Sequence, residues 1–200
     1  MTKVDDQINA LRRASGLVGA PSSDFDLNPE VTPAEGRKLR AAGVLVAFEP
    51  RADGLHLLLT KRSSHLKHHP GQIAFPGGKV DPGDADEVAA ALREAREEVA
   101  LPSGHVEVLG TLPAHETVTS FTVTPVLALI HTPFDPVREP GEVEEVFYTP
   151  FDHVMDPARY SVQYRRWRGQ RRLYYTVPFG PYYIWGATAR MLRALAERVA

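Results

Sequence analysis

The sequence predicts an α+β domain, a layered α/β/α arrangement around a mixed β-sheet. Three observations carry this. Strand-like runs outnumber helical ones and do not alternate with them regularly, which argues against a doubly wound parallel sheet. One strongly amphipathic segment lies mid-chain and another closes it. The 200 residues are 43% apolar, enough for one core of ordinary proportions and too few for several large domains.

Val4, Ile8 and Leu11 recur at helical spacing and predict an opening amphipathic helix, followed by a linker-like stretch, 21–35, rich in Pro, Ser and Asp. Residues 1–35 therefore read as an accessory to a domain spanning 36–200. Residues 42–48 and 55–61 read as strands of a hairpin, with Pro50, Asp53 and Gly54 punctuating a turn over 49–54. A loop rich in His, Gly and Pro runs from 62 to 83, broken by the apolar piece 73–75. In the helix that follows, Val88, Leu92, Ala95 and Val99 form one stripe, Asp84 and Glu87 stand in capping-box spacing, and Pro102 and Gly104 stop it. Strands are then expected at 106–109, 122–130, 143–148, 160–167 and 173–177. Ile184, Thr188, Met191, Leu195 and Val199 mark the closing helix.

Charged residues make up 24% of the chain and the formal net charge is -2, so no global basic field would hold it on nucleic acid or anionic lipid. The absence of cysteine removes disulfides, thiolate zinc sites, iron–sulfur clusters and thiol nucleophiles. The opening MTKVDDQ is acidic where a secretory signal is basic and then apolar, and the longest apolar runs, 44–48 and 126–130, are too short to cross a bilayer. A cytoplasmic protein acting on a small molecule is expected, with no nucleic-acid or membrane partner. The sequence sets no oligomeric state.

Chemistry concentrates on the mid-chain helix. Glu94, Glu97 and Glu98 are spaced i, i+3 and i+4 and fan over an arc of about 100°, so one cation could meet all three. Two carboxylates about 6 Å apart repel by roughly 2 to 3 kcal/mol at an effective dielectric near 20, a cost that a cation, a raised pKa or solvent must relieve. An all-oxygen cluster points to a hard ion such as Mg²⁺ or Mn²⁺. On the helix alone the pattern is that of a solvated acidic face paired with Arg93 and Arg96. The preceding loop changes the reading, because Phe75-Pro76-Gly77-Gly78-Lys79 sets two glycines and a cation just before the helix, and glycines let a backbone approach phosphate closely.

Taken together, Gly78, Asp84, Arg93, Glu94, Glu97, Glu98 and Leu101 resemble the Nudix box, G-x5-E-x7-R-E-U-x-E-E-x-G-U with U bulky and apolar. The stretch Leu58-Leu59-Thr60-Lys61-Arg62-Ser63, then Gly71-Gln72-Ile73-Ala74-Phe75-Pro76-Gly77-Gly78, is similar to the signature of the coenzyme A pyrophosphatase branch of that superfamily. So is Ile184-Trp185-Gly186-Ala187-Thr188-Ala189. The resemblance spans about two thirds of the chain. It departs from the box at two places. Asp84 stands where the box has its first Glu, with eight residues rather than seven before Arg93. Ala100 replaces the second glycine; either it adopts a left-handed backbone at a cost of order 1 to 2 kcal/mol, or the helix runs on to Pro102.

The resemblance implies a Nudix hydrolase domain over 36–200 that uses Mg²⁺ or Mn²⁺ to hydrolyse a diphosphate with water as nucleophile. Coenzyme A is the expected substrate. The alternatives are another nucleoside diphosphate derivative, such as ADP-ribose or a nucleotide sugar, a nucleoside triphosphate, and a non-catalytic nucleotide-sensing or RNA-binding protein of the same fold. By the same resemblance Glu94 and Glu98 are metal ligands, and Glu97 is a ligand or the catalytic acceptor of the water's proton. In some members the base lies outside the box, which keeps Glu142, Glu144 and Glu145 as candidates. Arg62, Gln72, Gly77, Gly78 and Lys79 are expected at the substrate, together with Lys61, and Arg93 is expected to pair with an acid. His65, His68 and His69 read as polar surface. The run 165–172 carries five arginines with Gly169 at a hairpin tip, a local positive patch near Tyr164, Trp167, Tyr174 and Tyr175. It serves a solvated hairpin or the extra phosphate of coenzyme A.

Overall fold

The computed structural model describes residues 2–167 and 169–200, and leaves out the side chain of Trp167. Arg168 and that side chain, both within the arginine run, lie outside the described residues. The elements in chain order are α1 (Lys3–Ser15), β1 (Ser22–Ser23), β2 (Arg40–Arg51), β3 (Gly54–Arg62), β4 (Ile73–Ala74), β5 (Gly77–Lys79), α2 (Glu87–Val99), β6 (Val106–Thr111), β7 (His115–Glu116), β8 (Phe121–Ile130), β9 (Val143–Pro150), α3 (Phe151–Val154), β10 (Ser161–Trp167), β11 (Gln170–Thr176) and α4 (Gly186–Val199). Two short 3₁₀ turns complete them.

Among the described residues nine strands form one mixed sheet and β10–β11 form a separate antiparallel pair. The long strand β2 organises the sheet: it runs parallel to β8 and antiparallel to β3 and β5. Period-two alternation along β2 sends Leu45 and Ala47 to one face and Val46 and Phe48 to the other. Ala91, Ala95 and Val99 of α2 cover the first face. Leu11 and Ala14 of α1, Val154 of α3 and Leu192 and Leu195 of α4 cover the second. The result is the α/β/α layering expected, with a mixed sheet. No helix among the described residues is long and apolar enough to cross a membrane.

Several boundaries differ from the sequence reading. The hairpin strands run through most of the expected turn, which shrinks to Ala52 and Asp53 before Gly54 at φ +139°. The N-cap of α2 is Asp86, whose side chain accepts from the Ala89 N–H at 2.8 Å. Asp84 instead closes the loop by accepting from the Asp81 N–H at 2.8 Å and from Arg93. The capping-box spacing misled because an acid two residues nearer the helix takes the role. α4 begins at Gly186, and Ile184 is buried in the loop before it, its carbonyl accepting from Val177 N–H. Residues 21–35 are not a free linker. β1 pairs in parallel with β7, and the Asn28 amide brackets the Leu173 peptide, accepting from its N–H at 2.8 Å and donating to its carbonyl at 3.0 Å. α1 is likewise tied down: the Gln7 side chain accepts from Leu55 N–H at 2.7 Å and donates to Asp152 at 2.8 Å.

The two readings of Ala100 resolve in favour of the left-handed one. The helix stops at Val99 and Ala100 sits at φ 58°, ψ 28°. A Cβ in that conformation costs about 1 to 2 kcal/mol, part of which glycine gives back through unfolded-chain entropy. Ala100→Gly is therefore expected to stabilise the protein by about 1 kcal/mol, read as a rise of about 2–4 °C in melting temperature. An unchanged or lower melting temperature would show that the αL position carries no strain.

Candidate active site

The apolar stripe of α2 turns Glu94 and Glu98 toward the strand β5, and glycines let the two elements meet. A Cβ on Gly43 of β2 would lie 1.9 Å from the Glu87 carbonyl oxygen, so helix and strand approach through that gap. Gly77, at φ +155°, sits where a Cβ would lie 2.4 Å from the Gly43 carbonyl oxygen and 2.6 Å from Val44 Cα. At Gly78 a Cβ would lie 2.4 Å from Glu94 Oε1. The glycines expected to meet phosphate thus also seat the carboxylates.

Glu98 is 4% exposed and its carboxylate accepts from Gly77 N–H at 3.3 Å. Burial, and then the neighbouring charge of Glu94, push its pKa up to about 8, against the pull of Arg62. Burial also raises Glu94, opposed by Arg93. Glu142, from the segment before β9, joins them: one oxygen from each of Glu94, Glu98 and Glu142 lies within 4.8 Å of the others. Glu97 is not among them. Its side chain is 59% exposed and accepts from Arg93 Nη1 at 3.0 Å. Glu144 pairs with Lys61 at 2.7 Å, and Glu145 accepts from the Tyr182 hydroxyl. Of the three downstream acids, one reaches the cluster.

Arg93 pairs with acids as expected, and with several. It grips Asp84 through Nε and Nη2, each at 2.9 Å, while Nη1 donates to Glu94 and Glu97 at 3.0 Å. These contacts hold its pKa well above the ordinary arginine value. The same fork thus holds Glu94 through Oε1, the oxygen nearest Gly78.

The other expected site residues separate. Arg62 and Gln72 line a cavity whose described lining includes none of Gly77, Gly78, Lys79 or the three carboxylates. Lys79 is paired with Asp81 at 2.9 Å. His65, His68 and His69 belong to no ligand cluster among the described residues. Glu142 was legible only as one acid of a run. No spacing rule singles it out, because its approach to α2 depends on β9 pairing with β3 and on the register shift at Lys61 and Arg62.

The three carboxylates fit a hard divalent ion. The donor set is all oxygen, and the most buried member has no ion pair among the described residues, only one backbone N–H and a second acid beside it. An ion there relieves a repulsion that the fold otherwise imposes.

A mixed sheet between helical layers, with a carboxylate helix against a glycine loop, defines the class. The NUDIX domain family matches residues 37–168, and the chain belongs to the Nudix family of hydrolases of diphosphate bonds, which generally use divalent metals. Relatives named uncharacterized Nudix hydrolase NudL include one from Enterobacter sp. (strain 638), 42% identical over 160 residues, covering 80% of this chain and 83% of the relative. Another, from Salmonella heidelberg (strain SL476), is 42% identical over 173 residues, covering 86% and 89%. The fold is also that of the NUDIX domain of Shewanella oneidensis NrtR, solved with ADP ribose, at a TM-score of 0.52 and 18% identity over 88% of this chain and 95% of that one.

Proposed function

We propose that this hydrolase cleaves the diphosphate of coenzyme A or its derivatives to 4′-phosphopantetheine and adenosine 3′,5′-bisphosphate, using Mg²⁺ or Mn²⁺. One observation carries the choice of substrate. The two separated stretches that resemble the coenzyme A branch meet at one place: Thr188 Oγ1 donates to the Ile73 carbonyl at 3.0 Å, and Arg62, Gln72, Ala74, Gly186, Ala187 and Thr188 line the same cavity. Sequence features 115 residues apart thus share one wall, and the charge of Arg62 on that wall is felt at Glu98.

In this reading residues 36–200 carry the hydrolase, and Glu94, Glu98 and Glu142 would hold the ion. Bound there, a divalent ion would neutralise diphosphate charge and make water a better nucleophile at neutral pH. Arg62 and the Gly77–Gly78 backbone orient the diphosphate, and Gln72 contributes an amide that can donate or accept. Glu97, exposed and held by Arg93, takes the proton of the attacking water.

Two substitutions separate these roles. Glu97→Gln is expected to lower kcat about 10²- to 10⁴-fold, the usual contribution of a general base, with metal affinity nearly kept. Glu142→Gln is expected to weaken metal binding. The reverse pattern, measured by titrating Mn²⁺ alongside the kinetics, would exchange the two assignments. The substrate is tested by hydrolysis of coenzyme A, 3′-dephospho-coenzyme A, ADP-ribose and NADH side by side, with Mg²⁺, with Mn²⁺ and with excess chelator. Metal-dependent release of 4′-phosphopantetheine, faster than any other cleavage, is the expected result. Faster cleavage of ADP-ribose or NADH would replace the substrate and keep the chemistry.

A further inference from the structure

The cavity that begins at Arg62 and Gln72 extends away from the carboxylates to the β10–β11 hairpin. Its volume is about 400 Å³, the scale of a small-molecule site rather than of a polymer groove. Arg165 and Arg172 are direct cross-strand partners on the hairpin, and both line the cavity with Arg62. Like charges opposite each other on an antiparallel ribbon repel, and an anion held between them would relieve that repulsion.

Asp24, the acid among the described lining residues, is already engaged: it lies 3.1 Å from His115 Nε2 and accepts from Val118 N–H at 2.9 Å. Arg190, also in the lining, is paired with Asp26 at 2.8 Å. Arg165 has no ion-pair partner among the described residues; its guanidinium lies over the Trp185 ring, 4.5 Å from the centroid. The Nε of Arg62 is buried with no hydrogen-bond partner among the described residues. The first turn of α4 opens on the same space, and its N-cap, Trp185, makes no side-chain cap.

We infer that this cavity is a phosphate-monoester subsite, and that Arg165 and Arg172, with Arg62, make the enzyme prefer substrates bearing a phosphate that is not cleaved. A monoester carries between one and two negative charges at neutral pH, and its oxygens match the guanidinium fork. The inference deepens the proposed function and rests on it: in coenzyme A the group is the 3′-phosphate of the ribose. Arg62 joins the two halves of the site, since it lines the cavity while its charge is felt at Glu98.

Binding is measured first, by titration calorimetry with chelator present, comparing adenosine 3′,5′-bisphosphate with AMP on the wild type, Arg165→Met and Arg172→Met. Charge-assisted hydrogen bonds predict that the wild type prefers the bisphosphate by about 10- to 100-fold and that each substitution removes most of the preference. The kcat/KM ratio of coenzyme A to 3′-dephospho-coenzyme A should fall by about tenfold or more in the same variants. Equal or absent binding of the two nucleotides by the wild type overturns the inference, as does a ratio that neither substitution changes. Arg165 is on the exposed hairpin, so Arg165→Met decides if Arg172→Met does not fold. A bisphosphate preference lost on substitution, in an enzyme that does not cleave coenzyme A, would overturn the substrate and leave the subsite standing.

Discussion

Glu98→Gln is expected to lower diphosphate hydrolysis by at least about 100-fold and to make the metal-free protein more stable above neutral pH. The first effect follows from ligand chemistry, since a neutral amide is a poorer ligand for a hard cation, and even partners that only orient a ligand cost about 10- to 100-fold when removed. The second follows from linkage. The Glu98 pKa is about 8 in the folded protein against 4.5 as an ordinary side chain, so the folded state holds a proton that the unfolded chain has released. Wild-type stability without metal therefore falls as pH rises from 4.5 to about 8 and levels off above it. Glutamine has no such dependence, so the variant's melting temperature should pull ahead of the wild type across that window. Added Mn²⁺ should reverse the order by stabilising the wild type alone. In the wild type, metal binding below pH 8 expels the Glu98 proton, so affinity should rise with pH up to about 8 and then flatten. Wild-type turnover, or a melting temperature below that of the wild type at pH 8, would remove Glu98 from the centre of the cluster.

Gly77→Ala is expected to cost about 3 kcal/mol or more of stability, well beyond the loss from the same methyl group at Gly78. Its backbone is in the glycine-favouring region at φ +155°, and the new Cβ would lie 2.4 Å from a carbonyl oxygen and 2.6 Å from a Cα, neither of which can swing away. Strand β5 would have to leave β2. Gly78→Ala differs in kind, because its Cβ would meet only the end of the Glu94 side chain at 2.4 Å. That carboxylate can move, so the protein should fold with a modest loss of stability while metal affinity drops by about 10- to 100-fold. Thermal melts and Mn²⁺ titrations of the two variants, done together, test the contrast. Equal melting temperatures would mean that the strand yields at both positions.

These expectations draw on parts of the molecule that differ in how far the sequence disclosed them. Helix α2 was legible because thirteen residues carry both an apolar stripe and an acidic face. The β2–β3 hairpin was legible from alternating apolar runs and turn residues. Strands β1, β4, β5 and β7, each of two or three residues, have no period to detect. Strands β4, β5 and β7 exist because longer strands offer them an edge, and β1 adds onto β7 in turn. Glu94 and Glu98 stood out as helical neighbours, and Glu97 stood out equally, since spacing alone could not show that Arg93 would draw its carboxylate aside. Glu142 was hidden among similar acids, because what sets it apart is a register shift between strands that the chain brings together only on folding. The pairing of Arg165 with Arg172 was half visible: the glycine tip suggested a hairpin, but its register decided which arginines face each other.

The bracket that Asn28 makes on the Leu173 peptide, across 145 residues, bears on how the enzyme comes into being. Part of the wall of the arginine-lined cavity comes from residues 23–28 and another part from the hairpin and α4, much later in the chain. The carboxylates, by contrast, lie between 94 and 142. During synthesis the carboxylates therefore emerge before the hairpin and α4, and the cavity cannot be complete until those later elements join residues 23–28. A ribosome-held chain stopped before α4 would carry all three acids and yet lack part of the cavity wall.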